Sequence, residues 1–312
     1  MGTPGHMTTP DLAVNIGALT LKNPVMLASG AFGYGDEFMG LAEYGELGAL
    51  VLKTVTPNPR PGSPSASRTA ETPAGMVNSI GLENVGLEAF IEEKLPVALS
   101  YGTAVIASIA GDTPEEFAAC ARRLDGCAVA AIEINISCPN VKKGGMAFGV
   151  NAKASGEVVR SVRAATGKPI IAKLTPNVTD IGSIARACEK AGADGLSLTN
   201  TISAMVINVE TRRPVLAANA GGLSGPAIRP AAVLRVFQVA RAVDIPVIGM
   251  GGIWNSDDAL EFIIAGASGV AIGTALYADP AVGNRVLVGI REYLTRHGLA
   301  TVRELVGSVV LH

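Results

Sequence analysis

Residues 246–276 read PVIGMGGIWNSDDALEFIIAGASGVAIGTAL, and this stretch decides the fold class. Two short apolar runs, Pro246–Met250 and Gly269–Ile272, are each followed by a glycine turn. Because neither run alternates with polar residues, both are typical of parallel strands that are buried on two faces. The segment between them, Asp257–Ile264, has apolar residues at helical spacing. This part of the chain therefore predicts a strand–turn–helix–strand unit of an α/β protein.

The same unit recurs along the whole chain, and the count of units separates two α/β architectures. Eight strands alternating with eight helices favour a (β/α)8 TIM barrel. The alternative, a doubly wound sheet, usually carries GxGxxG after its first strand, whereas residues 28–35 read ASGAFGYG. The other predicted strands are Val25–Ala28, Ala49–Lys53, Ala104–Ser108, Ala130–Ile136, Pro169–Leu174 and Gly195–Thr199, and the other predicted helices are Asp36–Tyr44, Leu87–Leu99, Pro114–Leu124, Ala152–Ala165, Ile181–Ala191, Pro230–Val243 and Val282–His297.

Composition agrees with one large folded domain. The chain has 312 residues, of which 48% are hydrophobic and 17% charged, a balance that excludes a disordered protein. The net charge of −2 disfavours nucleic acid as a partner, and no apolar run is long enough for a membrane span. The four cysteines, Cys120, Cys127, Cys138 and Cys188, lack the spacing of a disulfide framework or metal site. They indicate free thiols in a cytoplasmic protein, and no metal site is predicted.

The expected domain organisation is simple. Residues 1–10 are interpreted as a disordered or added leader, and residues 11–312 as a single TIM-barrel domain. Two stretches, Thr54–Pro73 and Ser203–Gly222, interrupt the alternation of strands and helices. Both follow predicted strands, so we expect them as insertions at the C-terminal face of the barrel, where active sites of this architecture lie.

The glycine turns after the last two strands are the first candidate site. Gly251, Gly252 and Gly273 lie where a barrel binds phosphate through backbone N–H groups, because a Cβ would hold the phosphate away from them. The alternative is that these glycines only form tight turns. Two adjacent glycine turns in an eightfold barrel favour a ligand that carries phosphate.

Polar residues at other strand ends are the second group of candidates. Lys53 and Lys173 are flanked by apolar residues, and each is either a cation beside an electron-rich ligand or an ion-pair partner of Glu133. Cys138 precedes a glycine-rich segment and could act as a nucleophile or in acid–base chemistry, whereas the other three cysteines are expected to be small hydrophobic residues. Asparagines 78, 135, 140 and 200 suit a planar ligand with N–H and C=O groups.

Several motifs together resemble one family. The chain is similar to the dihydroorotate dehydrogenases of class 1, and most closely to the catalytic subunit of class 1B, from about Asp11 onward. The motifs that carry this resemblance are PVMLASG (24–30), LKTVT (52–56), NSIGLEN (78–84), NISCPN (135–140), SLTNT (197–201), GGLSG (221–225), GMGGIWNSDDALEFIIAGAS (249–268) and IGTAL (272–276).

The resemblance implies a site with one FMN and dihydroorotate. Cys138 would take a proton from C5 of dihydroorotate while a hydride leaves C6 for N5 of FMN, and Lys53 would position the ring. Ser108 stands where the family usually has an asparagine near the flavin. The implied FMN contacts are Ala28, Ser29, Gly30, Lys53, Thr54, Ser108, Asn135, Lys173 and Thr199, with the phosphate at Gly225, Gly251, Gly252, Gly273 and Thr274. The implied substrate contacts are Lys53, Asn78, Gly81, Leu82, Asn135, Asn140, Asn200 and Thr201.

The resemblance also implies partners. Class 1B enzymes serve pyrimidine (UMP) synthesis and pass electrons to NAD through a second subunit with FAD and a [2Fe–2S] cluster, in a heterotetramer around a homodimer of catalytic subunits. Four alternatives remain at this point: a fumarate-linked class 1A homodimer, a dihydropyrimidine dehydrogenase subunit acting on dihydrouracil, a non-redox barrel enzyme using Lys173, and a non-catalytic binding subunit.

Overall fold

A computed structural model describes residues 9–64, 67–137 and 148–312 of the chain. Eight short strands in this part of the chain form the barrel, and each lies within two residues of its prediction at either end. They are β1 (Val25–Leu27), β2 (Ala49–Val51), β3 (Ala104–Ile109), β4 (Ala131–Asn135), β5 (Ile170–Lys173), β6 (Gly195–Leu198), β7 (Val247–Met250) and β8 (Gly269–Ile272).

The strands close into a barrel in chain order. Every neighbouring pair is parallel, and β8 pairs with β1 so that Val270 lies opposite Val25. The strands are buried, as the unbroken apolar runs of the sequence predict. The TIM barrel is confirmed, and the carboxyl ends of all eight strands therefore meet at one mouth.

Seven of the eight predicted helices are present around the barrel. Helix α1 is composite, with a π-helical turn in its middle. The bounds are α1 (Leu87–Ala89, Phe90–Lys94 and Leu95–Leu99), α2 (Pro114–Asp125), α3 (Ala152–Arg163), α4 (Ile181–Lys190), α5 (Arg229–Ala240), α6 (Ser256–Ala265) and α7 (Val282–His297).

The predicted helix over Asp36–Tyr44 is wrong. Two single 3-10 turns, Asp36–Phe38 and Tyr44–Glu46, occupy the region instead. Gly35 and Gly40 have φ values of 99° and 78°, which a right-handed helix cannot contain. The apolar spacing that suggested a helix reflects burial of Tyr44 in the main core rather than a helical face.

The two predicted insertions form one structure at the mouth. Four strands, Ile202–Ala204, Gly221–Ser224, Gly75–Asn78 and Thr69–Thr72, pair in that order as an antiparallel sheet, which we call the insertion sheet. It has a small core of its own made by Ala70, Val77 and Leu216. The prediction of insertions at the C-terminal face is confirmed, but their pairing with one another was not foreseen.

The remainder of the chain supports the barrel from outside. A hairpin of Val14–Ile16 and Leu19–Leu21 precedes β1, and Asp11 bridges to Thr301 near the far end of the chain. The main hydrophobic core runs from Leu12 to Leu305. Across the described residues, no helix combines the length and the apolar character that are needed to cross a lipid bilayer.

Candidate active site at the barrel mouth

A buried lysine marks the centre of the mouth. Lys173 is the last residue of β5, and its side chain is 7% exposed. Its Nζ donates a hydrogen bond of 3.0 Å to the Oγ of Ser29, which follows β1. It also lies 3.7 Å from the Oε1 atom of Glu133, a residue in the middle of β4. The alternative reading of Lys173 as an ion-pair partner of Glu133 is thus realised in the structure.

Glu133 accepts hydrogen bonds on both of its carboxylate oxygens. The Ser108 hydroxyl donates to Oε1 at 3.0 Å, and the Ser197 hydroxyl donates to Oε2 at 2.9 Å. The two serines lie on β3 and β6, so strands on both sides of β4 converge on this carboxylate. All three side chains are buried, and the carboxylate is therefore held by donors and a cation rather than by water.

A line of hydrogen bonds leads from this carboxylate toward the mouth. Thr54 lies 2.8 Å from the Ser108 Oγ atom, and the Nδ2 of Asn135 donates to Thr54 Oγ1 at 3.1 Å. The Ser137 hydroxyl donates to Asn135 Oδ1 at 2.7 Å, and Ser137 accepts a bond from Asn200 Nδ2. Because the Ser108 proton is used on Glu133, Thr54 must donate to Ser108. Every bond of the line thus points toward Glu133.

The insertion sheet carries further predicted residues to the same face. Asn78 pairs with Gly222 in the sheet, and its Nδ2 is 3.4 Å from the Gly222 carbonyl oxygen. A Cβ at Gly222 would overlap the Thr201 side chain, so only glycine fits there. Gly81 and Leu82 follow the sheet in a turn where both have positive φ values, 76° and 55°.

Glycine turns form the opposite part of the mouth. Gly251 and Gly252 follow β7, with φ values of 125° and 78°, and Gly225 has a φ of 100°. A Cβ on Gly252 would lie 2.7 Å from the Gly225 carbonyl oxygen, and one on Gly251 would lie 3.2 Å from Thr199 Oγ1. The three glycines and Thr199 are therefore brought together. Gly273 and Thr274 follow the neighbouring strand β8.

Helix α6 begins directly after the glycine turn of β7 and is firmly capped. Asn255 and Asp258 form a capping box, in which Asn255 Oδ1 accepts from the Asp258 backbone N–H at 3.0 Å. Asp258 also pairs with Arg229 at the start of α5, one turn after Gly225. This capping fixes the turn on which the proposed phosphate site depends.

The residues at the mouth fit a flavin. A Cβ on Gly30 would meet nothing within 4 Å, so packing of the protein itself does not require glycine there, and the missing side chain leaves space. Lys53 is half-buried after β2, and no ion pair within the described part of the chain includes it. Lys53 and Lys173 at one end suit the electron-rich ring of FMN. The glycine turns at the other end suit its phosphate.

Cys138 and Asn140, the predicted base and a predicted substrate contact, lie outside the described residues. The other cysteines are free and structural. Burial raises the pKa of Cys188 to about 12, and burial followed by the charge of Glu116 raises the pKa of Cys120 to about 12. Cys127 is half-buried, with its thiol toward the Arg123 carbonyl. Cys120 and Cys188 are small buried residues, as expected.

Comparison with known proteins agrees with this geometry. A family model described as dihydroorotate dehydrogenase matches residues 11–294. This chain belongs to the dihydroorotate dehydrogenase family. Proteins named dihydroorotate dehydrogenase B (NAD(+)), catalytic subunit, are 52% identical in Pelobacter propionicus (96% of this chain, 99% of that protein), 51% in Geobacter sulfurreducens (97% and 99%) and 50% in Geobacter sp. (98% and 100%). Within this family the chain is most like the class 1B catalytic subunits, as its motifs indicate.

Two serines of the site were not singled out from the sequence. Ser197 donates to Glu133, and Ser137 joins Asn135 to Asn200. Ser197 has a visible signal, because it is a polar residue inside the otherwise apolar strand GLSL. Ser137 lies within NISCPN, in which the asparagines and the cysteine are the residues with a predicted chemical role.

Proposed function

We propose that this chain oxidises dihydroorotate to orotate in pyrimidine (UMP) synthesis, with one FMN bound at the barrel mouth. The observation that carries the proposal is the convergence of Lys173, Asn135 and the glycine turns of β7 and β8 on one face. Relatives at 50–52% identity over almost the whole chain support it, since they are named for this reaction.

The proposed FMN site uses backbone contacts for the phosphate and mainly side-chain contacts for the ring. The phosphate would bind backbone N–H groups at the glycine turns, where no Cβ is in the way, and at Thr274, which follows Gly273. Residues at the ends of β1 to β6 would hold the ring, and Lys173 would supply a positive charge beside it. Ser108 is fully buried with its hydroxyl bonded to Glu133 and Thr54, so its direct contact with the flavin stays a prediction. The proposed FMN contacts are Ala28, Ser29, Gly30, Lys53, Thr54, Ser108, Asn135, Lys173, Thr199, Gly225, Gly251, Gly252, Gly273 and Thr274.

The proposed mechanism assigns the protein two tasks. Lys53 and the amides would hold the dihydroorotate ring by its carboxylate and its N–H and C=O groups. Such positioning can lower the barrier by several kcal/mol. Cys138 removes the proton from C5. When bound, FMN supplies the hydride acceptor for C6. The proposed substrate contacts are Lys53, Asn78, Gly81, Leu82, Asn135, Asn140, Asn200 and Thr201.

We further propose that the chain works in a heterotetramer. Its partner subunit would carry FAD and a [2Fe–2S] cluster and pass the electrons to NAD, and two copies of this chain would form the central homodimer. The names of the relatives, which specify NAD(+) and a catalytic subunit, support a partner. Residues 11–312 are proposed as one domain. The proposed location is the reducing cytoplasm, which the free thiols of Cys120, Cys127 and Cys188 support.

The test compares substrates and acceptors. The FMN-loaded chain is assayed with dihydroorotate or dihydrouracil, with NAD or fumarate, alone or with a class 1B electron-transfer subunit. We expect NAD reduction only with dihydroorotate and the partner subunit. Fumarate-linked turnover by the chain alone would instead make it a class 1A enzyme, and preference for dihydrouracil would make it a dihydropyrimidine dehydrogenase.

A further inference from the structure

The barrel strands contain one charged pair, Glu133 and Lys173, and the proposed chemistry uses only its lysine. Among the residues of the eight barrel strands, only Glu133 and Lys173 are charged. Their side chains are 2% and 7% exposed, and Glu133 lies deeper in the barrel than any predicted contact on its own strand. An ammonium or a carboxylate in such a place is costly unless it has a partner of opposite charge.

We propose that Glu133 is a positioning residue that keeps Lys173 protonated and directed at the flavin ring while the flavin is oxidised. This inference rests on the proposed function, because it concerns the bound FMN. The Glu133 Oε1 atom lies 3.7 Å from Lys173 Nζ, whereas the only hydrogen bond from that Nζ atom within the described residues goes to the neutral Ser29 hydroxyl. Glu133 thus supplies the countercharge of this lysine.

Both carboxylate oxygens of Glu133 accept a hydrogen bond from a serine. Ser108 and Ser197 each donate a hydroxyl proton to a different carboxylate oxygen, and neither oxygen has to donate. The other polar side chains bonded to this network among the described residues, Ser29, Thr54 and Asn135, are uncharged. Lys53, a further charged residue, lies two residues beyond the end of β2.

Glu133 also gives direction to the line of hydrogen bonds above it. Because an ionised carboxylate only accepts, Ser108 must donate to it, Thr54 to Ser108, and Asn135 Nδ2 to Thr54. This order leaves Asn135 Oδ1 to accept from Ser137. A neutral amide in place of the Glu133 carboxylate can donate as well as accept, so it no longer fixes the direction of these hydrogen bonds. It also removes the countercharge of Lys173.

The expected consequence concerns the number of protons that the site takes up when the bound flavin is reduced. If Glu133 keeps Lys173 protonated before reduction, the wild-type flavin takes up one proton per two electrons above neutral pH, and the lysine charge balances the added negative charge. A buried lysine without a countercharge loses its proton near neutral pH. In Glu133→Gln, Lys173 is then neutral with oxidised flavin and takes up one additional proton upon reduction.

The experiment measures the midpoint potential of bound FMN from pH 7 to pH 9 by anaerobic dye equilibration. We expect the slope of the potential against pH to double in Glu133→Gln, from one proton per two electrons to two. Ser197→Ala is the matched control, since it removes one hydrogen bond from Glu133 but keeps both charges, and it should keep the wild-type slope. Glu133→Gln with Lys173→Arg should also keep that slope, because arginine does not lose its proton.

The outcomes separate this inference from the proposed function. An unchanged slope in a folded, FMN-loaded Glu133→Gln protein overturns the role of Glu133 and leaves the proposed function intact. A wild-type chain that cannot be loaded with FMN overturns both. If Glu133→Gln does not fold, Glu133→Asp replaces it: the shorter side chain withdraws the carboxylate from Lys173, so a slope above that of wild type supports the inference, and the wild-type slope overturns it.

Discussion

The two ends of the candidate site are built in different ways. At the turn after β7 the backbone forms the surface, through Gly251 and Gly252 together with the nearby Gly225, all with positive φ values. At β4 and β5 side chains form it, through a line of hydrogen bonds that ends on the buried Glu133–Lys173 pair. The backbone end depends on conformations that only glycine adopts easily, whereas the side-chain end depends on charges and donors from several strands. The two ends should therefore respond differently to substitution.

The largest expected effect is at the predicted base. Cys138→Ser should slow flavin reduction by dihydroorotate about 10²- to 10⁴-fold, the usual contribution of a general base, while FMN stays bound. The rate of the wild-type protein should rise with pH, because a cysteine with a reference pKa near 8.5 is mostly protonated at neutral pH. Cys120 and Cys188, with pKa values of about 12, do not titrate in that range.

Anaerobic stopped-flow measurements of flavin absorbance at several pH values check this prediction. The variant should lose the rise with pH together with the rate. A Cys138→Ser protein that is reduced as fast as the wild type would remove Cys138 from the mechanism.

The next effect tests the charged pair at the side-chain end. Lys173→Met leaves the Glu133 carboxylate buried without its partner, so the free energy of unfolding should fall by about 3–5 kcal/mol. Adding Glu133→Gln should restore most of that loss, because no charge is then left in the barrel. Urea denaturation of both variants measures the difference. Equal stability of the single and double variants would show that the unpaired Glu133 carboxylate is not the cause of the loss in Lys173→Met.

A pair of glycine substitutions tests the backbone end. Gly252→Ala forces a side chain into a φ of 78° and within 2.7 Å of the Gly225 carbonyl oxygen, and should cost about 1–2 kcal/mol of stability as well as FMN affinity. Gly30→Ala has open space around its Cβ, so it should leave the stability of the flavin-free protein unchanged but raise the Kd for FMN about tenfold or more, an energetic difference of about 1.4 kcal/mol.

Thermal melting and fluorescence titration with FMN separate the two glycine effects. If Gly30→Ala bound FMN as well as the wild type does, the space at the end of β1 would not belong to the flavin site.

The smallest effect is expected at the cap of α6. Asn255→Ala removes the side-chain acceptor of the Asp258 N–H and should lower the free energy of unfolding by about 1 kcal/mol. Because Asp258 keeps its pair with Arg229, the turn should hold its shape and FMN affinity should change little. Urea denaturation and FMN titration check both statements, and a large loss of affinity would mean that the cap itself shapes the phosphate site.

The sequence predicted the parts of this molecule that depend on local pattern. All eight barrel strands follow from short apolar runs. The region Asp36–Tyr44 was mistaken for a helix because its apolar spacing hid the effect of Gly35 and Gly40. The glycine turns could be recognised in the sequence as a candidate phosphate site, because the absence of a side chain itself indicates contacts made by the backbone.

The rest depended on contacts between segments far apart in the chain. The insertion sheet joins strands at Gly75–Asn78 and Gly221–Ser224, and neither segment alone indicates the other. Glu133 was visible as a possible partner of the lysines, but its bonds to Ser108 and Ser197 come from β3 and β6. Only closure of the barrel brings such donors to one carboxylate.

The most direct test of the proposed chemistry uses this chain alone. The FMN-loaded protein is mixed with dihydroorotate without oxygen, and visible absorption of the flavin is followed while orotate is quantified, with dihydrouracil as the control. We expect the flavin to bleach within one turnover and one orotate to form per FMN. A flavin that stays oxidised with dihydroorotate, yet is reduced by light and a chemical donor, would contradict it.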